Sequence, residues 1–394
     1  MASELRPEVS RSHAMENKTL LTDRPESNDH ISENAPAIQN NHLSLNKPSS
    51  LSTKRKFFLG LVIVCVIAIS WVGSTQTAKS SFNTKFAAPF FVMYFGTAWM
   101  MLVFPLTLPL FFLTGKGSLD WGGMKELWSH SVLVFSPQGI TVKGLLTSTV
   151  LFATIWAATN YMYVRALMII AATDVTALFS SAPAFVFLFS ICILKEPPLV
   201  LRVISVLTAI AGIVLFAYVD GFKSASIVGV VLSVGAAIGA ASYKVLLKWR
   251  VGNASLYQMA LFLSTLGLFI TCVFWPIVVL LHFLGVERLE NIPWGYICVS
   301  SVLGLLFNFA INFGIAYTFP LFISLGTVLG IPLNAIVDAV FRHIDFFNWK
   351  FTATDLIVGG FLLMLVPPSE SQWIQGQFMK GITLNLENIK SIRR

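Results

Sequence analysis

Ten stretches of about twenty mostly apolar residues, each long enough to cross the hydrocarbon core of a bilayer, dominate this chain. In order they cover approximately 57–75, 89–113, 143–164, 168–194, 200–219, 226–247, 257–284, 294–317, 320–341 and 352–367. A soluble core has no room for ten such runs. The expected fold is therefore an all-α membrane protein of ten transmembrane helices. Charged residues make up only 12% of the chain, about half the soluble norm, which agrees.

Lys and Arg number 27 against 19 Asp and Glu, but the cations lie between hydrophobic blocks. A positive-inside bias explains this better than nucleic-acid binding. With the amino terminus inside, twice as many cations flank the inner ends of the spans as the outer ends, so both termini are expected in the cytosol. The choice between plasma membrane and endomembrane stays open. Residues 1–53 lack hydrophobic periodicity and read as a disordered cytosolic tail. Residues 368–394 form a second tail, either an amphipathic surface helix or a disordered segment. The sequons at Asn17 and Asn253 would face the cytosol and stay unmodified.

Two landmarks repeat. Pro183 in the fourth span is followed 29 residues later by Gly212, and Pro332 in the ninth is followed 28 residues later by Gly360. An Asn-bearing span precedes each proline, with Asn160 in one half and Asn308 and Asn312 in the other. Five spans per half, 54–222 and 223–367, would insert the halves in opposite orientations. Inverted five-helix repeats of this kind are a signature of secondary transporters.

The segments GSTQTAK (73–79), TNYMYVRAL (159–167), TDVTALF (173–179), YVDGF (218–222), ASYKVLLK (241–248), IPWG (292–295) and NFGIAYTFPLFISLGTVLGIPLNAIVD (312–338) resemble subfamily F of the solute carrier 35 family. That resemblance implies the drug/metabolite transporter fold, with EamA-like repeats of five helices each. It is nearest to the branch associated with thiamine transport, which implies a thiamine-like solute. Other branches of solute carrier 35 exchange nucleotide sugars. Where an Asn-Lys pair is associated with the fourth helix of that branch, this chain has Ala182 and Pro183.

Polar groups inside apolar spans are the site candidates, because hydrocarbon penalises them unless they are paired or hydrated. Asp174 and Asp338 lie near the outer ends of the fourth and ninth spans. For a thiazolium cation the expected site is a carboxylate with ring faces around it, and Asp174 with Tyr161, Tyr163 and Tyr317 fits. Asp174 serves equally well as a cap at a helix start, and Asp338 as an ion-pair partner for Arg342 at i+4. Asn160, Asn308 and Asn312 either line a cavity or bridge helices. Lys244 either snorkels to the headgroups or meets an anionic group such as pyrophosphate. Gly235 and Gly239 permit close helix approach.

The four cysteines show no C-x-x-C pair or accompanying His cluster, so neither disulfide nor metal site is expected. Walker, zincin and nucleophile-elbow motifs do not occur, and the chain reads as a non-enzyme without a cofactor. The reading is a secondary transporter of a small organic solute, with thiamine first and a nucleotide-sugar antiporter second. A membrane scaffold or lipid-handling protein stands as the alternative of a different class. Its expected partners are the solute and membrane lipids, with a homodimer left open and no nucleic acid.

Overall fold

The computed structural model describes residues 53–113, 121–135, 142–195, 199–220, 226–252, 254–317, 320–343, 349–364, 366 and 376. The amino-terminal tail, the asparagines of both sequons, nearly all of the tail from Trp373 onward and the side chain of Tyr317 lie outside the described residues. Thirteen α-helices appear among those described: α1 Thr53–Ser81, α2 Pro89–Ala98, α3 Val103–Leu113, α4 Trp121–Val132, α5 Val142–Ile169, α6 Ala172–Phe179, α7 Ala182–Phe189, α8 Val200–Asp220, α9 Ser226–Val251, α10 Leu256–Phe283, α11 Trp294–Tyr317, α12 Pro320–Arg342 and α13 Trp349–Met364. Two short strands, β1 Phe86–Ala87 and β2 Arg288–Leu289, pair antiparallel.

Six helical stretches among the described residues are long and apolar enough to cross a membrane: Phe58–Ser81, Pro89–Pro109, Ala172–Leu194, Ile227–Val251, Leu256–Phe283 and Trp294–Gly314. The protein is thus a multi-pass, all-helical membrane protein. Helices α5, α8, α12 and α13 occupy the other four expected ranges. Two expected spans are not single rods. The second is α2 and α3 joined by a 3-10 turn at Trp99–Leu102, and the fourth breaks at Ser180 and Ser181 before α7, which carries Pro183 in its first turn. Proline fits there because the first-turn N–H it lacks would have had no partner inside the helix. A π turn at Ser190–Leu194 ends that span with Lys195 in the left-handed region. Helix α10 begins with a capping box between Ser255 and Gln258.

Helix directions follow from side-chain contacts. Along α1, Ser74 donates to the Ser300 carbonyl at 2.9 Å and Trp71 meets Phe307, so α1 and α11 run antiparallel. Gly326 packs on Ile67, Gly330 on Trp71 and Asn334 on Gln76, so α1 and α12 run parallel. Gly229, Gly235 and Gly239 of α9 receive Ile170, just past the end of α5, and Met162 and Thr159 of α5, in antiparallel order.

Helices α8 and α13 meet backbone to backbone. A Cβ on Gly212 would stand 2.8 Å from the Ala353 carbonyl and 2.7 Å from Ile357. On Gly360 it would stand 2.6 Å from the Ser205 carbonyl and 3.0 Å from the Ala209 nitrogen. Each glycine packs on the residues seven and three places before its counterpart. Gly360 follows Gly212 by 148 residues, the interval that also separates Asn308 from Asn160.

Candidate functional site

Helix α12 places Asn334, Asp338 and Arg342 one turn apart on a single face, and that face meets the carboxyl end of α1 and the amino end of α6. Asp338 is 1% exposed. Its Oδ2 accepts from the Thr173 backbone N–H at 2.8 Å and the Thr173 hydroxyl at 2.7 Å. Its Oδ1 accepts from Gln76 Nε2 at 3.1 Å and Arg342 Nη1 at 2.6 Å. Arg342 also donates to the Gln76 side-chain oxygen, to the Gln76 carbonyl at 3.2 Å and to the Ser80 hydroxyl at 2.9 Å. Asn334 accepts from Gln76 Nε2 at 2.9 Å and donates to the Thr176 hydroxyl at 3.0 Å.

The start of α6 depends on this network. A first turn leaves backbone N–H groups without partners inside the helix, and the N-cap residue Ala171 supplies no side-chain acceptor. Asp338 supplies one from a different helix. A segment at 171–179 is thereby fixed by a residue of the other half of the chain.

Three more ties gather at elements that adjoin this end. Lys350 donates to Asp174 Oδ2 at 2.9 Å, and its ammonium lies 5.4 Å from the Phe216 ring centre. Lys79 donates at the carboxyl end of α5, to the Leu167 carbonyl at 2.8 Å and to that of Ile170, just past the helix, at 2.5 Å, where a cation complements the helix dipole. Glu287, 3% exposed in the α10–α11 connection, accepts the Phe90 and Phe91 N–H groups at 2.6 and 3.1 Å and so caps α2. Burial pushes the Glu287 carboxyl above its ordinary 4.5, with the two N–H groups and the charge of Arg165 holding it down in part.

Below the Asp338 network lies a box of aromatic rings. The Trp71 ring centre is 5.3 Å from Tyr163, 5.9 Å from Phe179 and 4.6 Å from Phe307, and Tyr163 meets Phe179 edge-on at 5.2 Å. The Tyr163 hydroxyl shares a hydrogen bond with Thr75 at 3.2 Å. Five residues, about 7.5 Å of helix rise, separate Trp71 from Gln76. The four rings pack on one another as part of the hydrophobic core, with the buried carboxylates of Asp174 and Asp338 on neighbouring elements.

The remaining sequence candidates fall out differently. Tyr161 packs against Phe90 at 6.0 Å, away from Tyr163. The amide nitrogens of Asn160, Asn308 and Asn312 each donate to the carbonyl four residues earlier, so these bonds stay within α5 and α11. Lys244 is exposed. Reading the sequence missed Gln76, Asn334, Lys350 and Glu287 as partners, and Trp71, Phe179 and Phe307 as one cluster. For Gln76 and Asn334, the signal available was a lone amide inside an apolar run.

No family model matches the chain. Solute carrier family 35 member F3 of Mus musculus is 41% identical over 81% of this chain and 76% of its own length. The chain belongs to solute carrier family 35, subfamily F. Member F4 of Mus musculus is 39% identical over 84% of this chain and 68% of its own length. A more distant relative, the thiamine-repressible mitochondrial transport protein THI74 of Saccharomyces cerevisiae, is 21% identical over 78% of this chain and 91% of its own. Membership in a solute carrier family makes this a membrane solute transporter.

Proposed function

We propose that the chain is a secondary transporter of a thiamine-like solute that works by alternating access between two inverted five-helix repeats. The observation that supports this reading is a cluster of four mutually packed rings beside the Asp338 network, which ties the two halves of the chain together; the ring site would form when these elements part. Ring faces hold an aromatic cation, and the Asp338 network excludes water from it. The related yeast protein is named for thiamine repression, which favours this vitamin among cationic heterocycles.

The repeat is supported by the packing. Antiparallel α1 with α11, parallel α1 with α12 and antiparallel α5 with α9 are the directions that ten alternating passes require. Reciprocal seating of Gly212 and Gly360 fits a two-fold axis in the membrane plane between α8 and α13.

Radiolabelled thiamine uptake into proteoliposomes tests the function. Saturable uptake is expected, with Trp71→Ala weakening the apparent affinity. Absence of saturable flux from folded protein reconstituted in both orientations would discard thiamine as cargo.

A further inference from the structure

The connection between α10 and α11 hooks onto the first half of the chain at the end where α1 finishes. Gly285 and Asn291 turn it with φ of 68° and 50°, and the Leu281 carbonyl accepts the Val286 and Glu287 N–H groups at 3.0 and 3.2 Å. Between those turns, Arg288 and Leu289 pair with Ala87 and Phe86, and Glu287 reaches the start of α2. Pro89 opens α2 without an N–H to give, so Phe90 and Phe91 are its first two donors, and Glu287 takes both. This is a clasp between a connection of the second half and a helix start of the first. Phe86 and Leu289 join the same apolar cluster as Ala172 and Val175 of α6, so the clasp and the Asp338 network brace one end of the molecule.

The charged groups around Glu287 are few among the described residues. Arg165 of α5 acts on it by charge, and His282 of α10 has its Nδ1 3.4 Å from the Glu287 backbone carbonyl. Arg288 and Glu290 on its own connection and Lys85 beside β1 are exposed, where water screens them. From this end of α2 and α11 come only Tyr94, Tyr296 and Cys298. Burial therefore outweighs the two N–H groups and Arg165, and the clasped carboxyl binds its proton more firmly than a free one. Parting the clasp returns the carboxyl to water. By linkage, closing takes up a proton: the clasp is favoured most fully below 4.5 and loses that favour as pH rises through the clasped value.

We propose that this clasp is a second closure on the side of the Asp338 network and that Glu287 is its proton-binding site, so that acid on that side holds the path shut. One proton joins the ionised, parted clasp to give the neutral, closed one, and nothing else is exchanged. Only the path being closed rests on the transporter reading; the clasp stands on its own contacts.

Nitroxide labels on Lys85→Cys and Glu290→Cys, beside the paired Phe86 and Leu289, test this in a full chain whose four native cysteines are serine. Such close labels broaden each other's spectra while the strands are paired, and attaching them removes two neighbouring charges. In lipid nanodiscs the broadened fraction should fall as pH rises from 4.5 to about 8, the ratio of clasped to parted changing at most about tenfold per unit. Glu287→Gln should make the fraction independent of pH, and His282→Gln should leave the response in place. Arg165→Gln removes a charge that favours the ionised form and should move the midpoint to higher pH, which keeps the test alive if Glu287→Gln fails to fold. A flat response in the parent chain, a response that survives Glu287→Gln, or a midpoint that Arg165→Gln leaves or lowers overturns the proposal. Solute uptake from that side should fall in acid in the native chain and hold steady in Glu287→Gln. Flux through a chain whose clasp ignores pH would sink the clasp and spare the transporter. A clasp that titrates at Glu287 in a chain that moves no solute would do the reverse.

Discussion

Replacing Asp338 by Asn keeps the shape of the side chain but removes the charge at the centre of the closure. Removing one partner of a buried ion pair costs about 3–5 kcal/mol because the other is stranded. Arg342 is 21% exposed, so water relieves part of that penalty, and it keeps its bonds to Gln76 and Ser80. A loss of about 2–3 kcal/mol is a reasonable figure, equivalent to roughly a 30- to 150-fold shift towards the open end. The assay introduces Phe179→Cys into a chain whose four native cysteines are serine, and follows reaction with a membrane-impermeant maleimide. Labelling from the side bearing the carboxyl end of α1 tracks the open population, so Asp338→Asn should accelerate it by a comparable factor. Arg342→Gln should act in the same direction, and the double variant should fall short of the sum. An unchanged labelling rate in folded Asp338→Asn protein would refute the idea that this network closes the path.

Three further outcomes follow from the contacts. Gly212→Ala and Gly360→Ala should each cost about 1–3 kcal/mol in unfolding experiments, since a Cβ would meet backbone atoms of the facing helix within 3 Å. Combined, they should cost less than the sum, because the first substitution already parts the helices; strict additivity would argue against reciprocal seating. Glu287 has a folded-state pKa above 4.5, so folding takes up protons there, and its contribution is fully present below 4.5 and lost as pH rises through the folded value. The melting temperature of native protein relative to Glu287→Gln should therefore rise as pH falls towards 4.5, and a flat difference would count against burial as the main influence. Trp71→Ala should raise KM for an aromatic solute about tenfold while leaving transport of a non-aromatic one, if any is found, less affected.

The helical ranges were legible because hydrophobicity over twenty residues is a one-dimensional signal. Helix α6 could also be seen starting near Thr173 and Asp174, where short polar residues interrupt the run. Asp174 and Asp338 attracted attention for a sound physical reason, the cost of carboxylates in hydrocarbon, but their partners could not be read. Gln76 meets Asn334 across 258 residues and Lys350 meets Asp174 across 176. Nothing local to either sequence segment records such pairings. The aromatic box was hidden differently: with 33 Phe in the chain, Phe179 and Phe307 look like any lipid-facing ring until the helices are placed. The reciprocal glycines were visible as an approximate spacing, whereas their mutual contact requires the antiparallel seating of α8 on α13.

The chemistry of the closure bears on how it can open. An apolar seal of the same area would expose its surface to water on opening, at about 25 cal/mol per Å². The Asp338 network instead separates into groups that water solvates well, so its net cost of opening is far below the sum of its bonds. Directionality is the other gain. Asp338, Gln76, Arg342 and Thr173 satisfy one another only in one register of α1, α6 and α12, so the closed state is specific without being irreversibly stable. In the proposed cycle, a cationic solute arriving from that side would meet Asp338 before Arg342 has returned to it. Within the proposed cycle, such a solute shifts the equilibrium only by binding the two states unequally, and competition with Arg342 for one carboxylate supplies that inequality. If so, Arg342→Gln should weaken the dependence of closure on solute; full solute dependence in that variant would show that the inequality arises elsewhere.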